Sequence, residues 1–406
     1  MPPTASGEER VFRSVRRCCY AGLDSVRLRT EMIRRIAPLL SFDAHHFAIT
    51  DPDTGLFTHA VADGLPASLN TVWLEHLYPF RVAGEIIGMA QNGTAVQTET
   101  SSAVMDILRP EGLGHDMRSV FAERGDAWGF VCLLRGRSSP GFTEREAAFM
   151  RRLAPHLTQG LRAAALLDRA SGAGWANASG AGWANDHGTG GANANGAGSG
   201  SHPLNGRGAE PGDLSTPPAP PDEPVGTGVL VMDRRGRIQT RNGAAERYLH
   251  DLEDVGRGSD AVPYAVSSAL VQLHHRYAEG EADASLPLTG QLRSQGRSGR
   301  WYTIRASLAE PDATGTSATI VLIDPSAPAD IAPILTRLYG LTPREREIVS
   351  LAAKGRSTKW IARQLSISPY TVQEHLGNAC DKVGVRTRKV LLAKLFVDGY
   401  APGLTG

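Results

Sequence analysis

The chain has 406 residues and carries 43 Lys and Arg against 42 Asp and Glu, a formal net charge of +1. That length suits about two to four ordinary domains, and the near-neutral total excludes a protein that attracts polyanions over its whole surface. The four cysteines, Cys18, Cys19, Cys132 and Cys380, have no CxxC spacing, which excludes a zinc ribbon or a thioredoxin-like pair.

In chain order, the opening MPPTASGEERVFRSVRR has no apolar stretch of signal-peptide type, and no run reaches the ~20 apolar residues needed to span a bilayer. A cytoplasmic protein with no membrane partner is expected. From Val11 to Leu40 the pattern is helical, with Val15, Cys19, Leu23, Val26, Ile33 and Ile36 recurring at three or four residues among arginines. Cys18 and Cys19 read either as plain free thiols or as a redox-sensing pair, since adjacency alone fixes no thiolate character. The period then changes. His46 to Thr50 and Leu56 to Val61 are strand-like and flank Asp51, Pro52, Asp53, Thr54 and Gly55, which is hairpin chemistry.

A third strand-like run covers Trp128 to Leu134. A long helix follows, opened by a capping box of Thr143 and Glu146 and expected to kink at Pro155. Strands framed by helices give an α+β sensor domain over residues 10–168. The runs FAITDPDTGLFTHAVADGLP and PGFTEREAAFMRRLAPHLTQGLRAA resemble GAF-like regions, which implies a pocketed sheet without naming its ligand. His45, His46, His59, His76 and His115 have no spacing that singles out a metal site.

Residues 169–225 read as a disordered linker. Ser171 to Gly200 holds ten glycines, and SGAGWAN occurs at Ser171 to Asn177 and again at Ser179 to Asn185. Such composition cannot offset its ordering entropy. Trp175 and Trp183 are the bulky residues there, open to docking on a partner or to no fixed place. PPAPPDEP after them favours polyproline II. A tether of this length spans roughly 40 Å on average, so the flanking domains need share no interface.

Order resumes at Gly226. GVLVMD, a turn at Gly236, RIQTRN and a helix started by Asn242 are followed by a helical stripe of Val262, Val266, Leu270, Leu273 and Tyr277. Trp301 to Leu308 and Ala318 to Asp324 are strands, with Tyr302, Ile304, Ala306 and Leu308 facing one core. Residues 226–326 resemble a PAS domain, a second α+β fold. A cysteine of the flavin-photoadduct type is missing from it, and His250, His274 and His275 are weighed as haem ligands against ordinary core or surface histidines. No cofactor is expected. Residues 327–340 are read as a connector.

Residues 341–398 differ in charge. Leu341 to Val397 holds eleven Lys and Arg against four Asp and Glu, so this segment is +7 and the remainder −6. Thr342 and Glu345 form a capping box around Pro343, Gly355 ends the first helix, and Ser357 or Thr358 starts the second. Ser368 caps a third helix opened by Pro369, in which Val372, Leu376, Ala379 and Val383 form one apolar stripe and Gly384 the stop. Thr358 to Leu365 and Pro369 to Val383, separated by Ser366, Ile367 and Ser368, have helix-turn-helix spacing.

LTPREREIVSLAAKG, STKWIARQLSIS, PYTVQEHLGNACDKVGV and RTRKVLLAKLF resemble the four helices of the LuxR-type helix-turn-helix family, the kind of domain that GAF-like regions precede in actinobacterial regulators. The resemblance implies that Gln373, Glu374 and Gly377 face bases of double-stranded DNA. It also implies that Thr358, Lys359, Thr371, His375, Lys382 and Arg386 touch or neighbour the backbone, and that Leu391, Leu395 and Phe396 dimerise the chain. Gln suits adenine and Glu the cytosine amino group, whereas Lys and Arg neutralise phosphates.

The fold class read from the sequence is thus multidomain: GAF-like and PAS-like α+β domains before an all-α four-helix LuxR-type domain. The expected function is a homodimeric DNA-binding transcription regulator, not an enzyme, answering to a small-molecule effector of unknown identity. Weighed against it are a signalling enzyme with a helix-turn-helix tail, for which no Walker, HExxH or kinase glycine motif is found, and a protein-interaction adaptor. A phosphorylated receiver is also weighed, but Asp51 and Asp53 lie in a Pro-containing turn.

Overall fold

A computed structural model describes residues 5–66, 78–93, 95–98, 108–171, 226–233, 236–256, 261–278, 289–309 and 318–396. The expected linker, with Trp175 and Trp183, lies outside the described residues from 172 onward, as do His76 and the last residues of the expected C-terminal domain.

The chain opens with α1 (Ala5–Cys19) and α2 (Ser25–Leu40). The single helix expected here is broken because Gly22 turns into the left-handed region at φ 66 and Asp24 caps α2, accepting from the Arg27 amide at 2.8 Å. β1 (Ala44–Thr50) and β2 (Phe57–Asp63) form the expected hairpin. Asp51 shapes its loop by accepting from the amides of Asp53 and Thr54.

α3 (Tyr78–Gln91), β3 (Val96–Thr98) and β4 (Leu113–Glu123) were not anticipated; β5 (Asp126–Gly136) extends the third expected strand. α4 (Glu144–Ser171) runs for 28 residues as one element through Pro155. Its Thr143–Glu146 capping box is formed.

The five strands are antiparallel in the order β2-β1-β5-β4-β3. Side-chain alternation sends Phe47, Met117, Phe121, Val131 and Leu133 toward α1, α2 and α4. Ala48, Phe57, Val120, Phe130 and Cys132 pack on the other face with Val82 and Ile86 of α3. Both faces are covered, so β5 is buried almost end to end.

β6 (Gly228–Met232), β7 (Ile238–Arg241), α5 (Gly243–Asp251), α6 (Tyr264–Ala278), β8 (Thr289–Gln295), β9 (Trp301–Leu308) and β10 (Thr319–Pro325) make a second sheet, ordered β7-β6-β10-β9-β8. Numbered within their own sheets, both have the order 2-1-5-4-3. Asn242 caps α5 as expected, and Tyr302, Ile304 and Ala306 enter the second core. Gly290 is required where β8 meets α6, since a Cβ there would lie 2.0 Å from the Ala269 carbonyl.

The two sheet domains share an interface, which the length of the tether between them neither required nor forbade. Val61 and Val255 form a parallel bridge, the Ser268 hydroxyl donates to the Phe57 carbonyl at 2.8 Å, and the Ser294 hydroxyl donates to that of Thr58 at 3.1 Å. Tyr264 joins the first domain's core, while Leu56 and Ala83 join the second's. Tether length sets how far the domains can separate, whereas complementary surfaces decide whether they do.

The expected connector is a helix, α7 (Pro328–Leu338), with Ile331, Ile334, Leu335 and Leu338 buried. These side chains share one core with Trp128 of the first domain, Trp301 of the second and the C-terminal helices. Among the described residues no helix is long and apolar enough to cross a membrane.

Asp254 is central to the interface between the sheets. Its carboxylate accepts from the Ala60 amide at 2.8 Å and the Tyr264 amide at 2.7 Å, both in buried surroundings. Asp254→Ala leaves two donors without that acceptor, and a loss of about 2–6 kcal/mol is expected in urea denaturation, at about 1–3 kcal/mol for each orphaned group. Hydrogen exchange should quicken at Ala60 and Tyr264. Unchanged exchange there would show that the carboxylate does not hold the interface.

Candidate nucleic-acid interface

Four short helices follow α7: α8 (Pro343–Ala353), α9 (Thr358–Gln364), α10 (Pro369–Val383) and α11 (Arg388–Phe396). Each boundary has a local cause. Thr342 and Glu345 complete the capping box of α8, and Gly355 follows its last turn at φ 76. Ser357, rather than Thr358, caps α9, accepting from the Trp360 amide at 3.2 Å. Ser368 caps α10 with Pro369 in its first turn, and Gly384 ends it in the left-handed conformation. The turn between α9 and α10 needs Ser366 at φ 53, and the Ile367 amide donates back to the Ala362 carbonyl at 3.0 Å.

Val372, Leu376, Ala379 and Val383 are buried against Ile348, Val349 and Ile361, so α10 has no rotational choice. Its outer face carries Gln373, Glu374, Gly377 and Asn378, all exposed. Lys359 and Arg386 are exposed beside it, whereas Thr358, Thr371 and His375 are half-buried. Thr371 also shares a 2.9 Å hydroxyl hydrogen bond with Ser368. Gly377 borders a groove of about 530 Å³ lined also by Thr358, Gln373, Arg386 and Arg388. A Cβ at Gly377 would meet nothing within 4 Å, so the absent side chain leaves the helix surface open rather than relieving a clash.

Two expected assignments meet the structure differently. The Lys382 ammonium donates to both Glu345 oxygens, at 2.8 and 2.6 Å, and so ties α10 to the start of α8 instead of projecting freely toward a phosphate. Leu391 and Leu395 are fully buried in the chain's own core, against α7 and α10, and Phe396 packs at its margin. These leucines are therefore not offered to a second subunit. The cause is α7, whose apolar face was hidden in what read as a connector. The sequence reading gave no role to Tyr370, 76% exposed at the start of α10, or to Trp360, whose ring lies 4.8 Å from the Arg356 guanidinium. Exposed aromatics among basic residues were the available signal.

Elsewhere, burial raises the Cys18 thiol and pushes Cys19 up to about 12, so neither is a thiolate at neutral pH and the redox pair is not supported. His45, His46 and His59 are buried, and burial holds His45 down at about 4. Among the described residues no group of three or more His, Cys, Asp and Glu is placed to hold a metal ion.

Capped helices joined by a tight turn, with an apolar stripe buried and a polar face outward inside a basic segment, define a helix-turn-helix DNA-binding module. Residues 340–395 match the family described as bacterial regulatory proteins, luxR family, and the chain belongs to that family. It is 44% identical over 59 residues to the spore germination protein GerE of Bacillus subtilis, a stretch that is 14% of this chain and 80% of that protein. It is 42% identical over 60 residues to the transcriptional regulatory protein UhpA of Escherichia coli, covering 15% of this chain but 30% of UhpA. The chain is also similar, at 17% identity, to a GAF domain from a Coxiella burnetii phosphotransferase, covering 39% of this chain and 95% of that one with a TM-score of 0.29.

Glu345 anchors the module. Burial pushes its carboxyl up, but the Lys382 ammonium and the Thr342 cap outweigh this and hold it below the ordinary value of 4.5. A carboxylate with a lowered folded value adds stability above its unfolded value, and that stability is lost as pH falls through the folded one. Glu345→Gln is expected to cost about 1–3 kcal/mol at pH 7, discounted because Lys382 is partly solvated, and to flatten the acid limb below about pH 4.5. Denaturant midpoints between pH 3 and 7 test this; parallel profiles for the two proteins would remove Glu345 from that role.

Proposed function

We propose that this chain is a sequence-specific transcription regulator whose α10 enters the major groove. Gln373 and Glu374 meet base edges, and Gly377 sits where the helix comes closest to the DNA. Thr358, Lys359, Thr371, His375 and Arg386 line the sugar-phosphate backbone. Lys382 acts indirectly here, through Glu345, by fixing the helix's angle. The observation that carries this reading is the outward polar face of α10, held in register by a wholly buried apolar stripe.

The first sheet domain is read as GAF-like and the second as PAS-like, a reading supported by their shared strand order and flanking helices. Together they sense a small-molecule effector and pass its binding on through α7, which packs against both domains and against α11. The active species is a homodimer on a two-fold operator. Because Leu391 and Leu395 are spent internally, the dimer contact falls to the outer side of α11, where Val390 is 49% exposed, and to the margin at Phe396.

Lys359→Ala should weaken binding to specific and non-specific DNA alike and lower the slope of log affinity against log salt by about 1. Gln373→Ala should leave that slope alone and relax preference at one base position, at a cost of about 1–3 kcal/mol for the preferred base. Fluorescence anisotropy with selected and scrambled duplexes across a salt series separates the two effects. Affinity untouched by either substitution would overturn the placement of α10.

A further inference from the structure

A cavity of about 60 Å³ lies where the three parts of the chain meet. By the ~15 Å³ that one water occupies, it has room for about four waters, or for a compact molecule of roughly five non-hydrogen atoms. The first domain contributes Ile49, Ala165 and Asp168, the second Trp301, and α7 contributes Ile334 and Leu338. A molecule seated there would touch both sheet domains and the helix that leads into the DNA-binding module.

The walls are largely apolar, with two groups that ask for complementary partners. The Trp301 indole N–H is buried and has no acceptor among the described residues. Among the described residues the Asp168 carboxyl, 6% exposed, accepts only long hydrogen bonds, from the Ser25 amide at 3.3 Å to each oxygen, while the buried Arg29 guanidinium acts on it through space. Burial pushes that carboxyl up to about 7. The nearby Arg293 guanidinium pairs with Asp53 and lies 3.8 Å from Asp51, so the cavity's cation is already neutralised.

We propose that this junction binds a compact neutral amide or lactam, whose carbonyl accepts from Trp301 and whose N–H donates to Asp168. Competing chemistries fit less well. A carboxylate would set another negative group beside Asp51 and Asp168, and an alkylammonium would satisfy Asp168 but leave the indole N–H orphaned. The amide offers both functions two bonds apart and meets Asp168 in either protonation state. Binding at this point stabilises the packing of α7 on both sheet domains. Binding stands on the cavity alone, while its effect on DNA rests on the regulator reading above.

The probe is propionamide, titrated into the full chain by ligand-observed NMR and by thermal shift, with propionate, propylamine and 1-propanol alongside. Propionamide should bind saturably, in roughly the millimolar range expected for so few atoms, and more tightly than the other three. Trp301→Phe, which keeps a ring but removes the donor, and Ala165→Leu, which fills the space, should each weaken it by about tenfold or more. Saturating propionamide should also shift the apparent Kd for operator DNA in the wild type and in neither variant.

Absence of saturable propionamide binding to the wild type, or equal binding by both variants, overturns the site. Equal or tighter binding of propionate, propylamine or 1-propanol overturns the amide class. Saturable binding with DNA affinity unchanged overturns the control role. The regulator reading is tested separately, by the response of the ligand-free chain to Lys359→Ala.

Discussion

Arg162 holds the DNA-binding module to the body of the protein. Its guanidinium pairs with Glu123 and donates to the Leu338 carbonyl at 2.8 Å and the Arg337 carbonyl at 3.2 Å, covering acceptors that the end of α7 would otherwise bury without partners. Gly340 follows at φ 73, and a Cβ there would come within 2.7 Å of the same guanidinium. Around this contact, Arg337 reaches Asp126 at 3.7 Å and Arg346 reaches it at 3.4 Å. The Arg124 side chain donates to the Gly340 carbonyl, and that of Arg169 to the Lys394 carbonyl. The module is thus seated by body arginines that donate to backbone carbonyls and by the Asp126 carboxylate, contacts that leave the outer face of α10 open.

The same seating accounts for the position of α7. A helix whose apolar residues face Trp128, Trp301 and the C-terminal core at once cannot move relative to one partner without disturbing the others, because close-packed interiors shift between discrete arrangements rather than deforming smoothly. The two sheet domains are coupled in turn by Asp254, Ser268 and Ser294, polar side chains each spent on a backbone group of the first domain. Directional bonds of this kind fix register between surfaces that apolar contact alone would let slide.

Much of the DNA-binding module was legible because its signals are local. Caps at Thr342 and Ser368, stops at Gly355 and Gly384, and the four-three-four stripe from Val372 to Val383 act within one or two turns of helix, and each stands where the sequence placed it. The hairpin after Ala44 and the strand at Trp301 were legible for the same reason. The missed elements lacked such signals. β4 pairs with β5 along a sheet covered on both faces, and its buried Asp116, Arg118 and Ser119 break any apolar alternation that would have marked a strand. α7 carries Pro328 in its opening turn and Pro333 within it, and prolines that close together weaken the helical signal of a segment even where the first is well placed.

What the sequence by itself determined was the local chemistry: where helices begin and end, which face of α10 is apolar, and that positive charge is concentrated in one short segment. Those properties depend on residues a few positions apart. Only the tertiary structure decided the use of individual side chains. It committed Lys382 to Glu345, turned Leu391 and Leu395 inward beneath α7, joined two sheet domains that a long tether could have kept apart, and left a small cavity between Asp168 and Trp301. Partners that are distant in the chain are chosen by surface complementarity and by the cost of burying an unpaired polar group, and neither can be read from spacing along one strand of sequence.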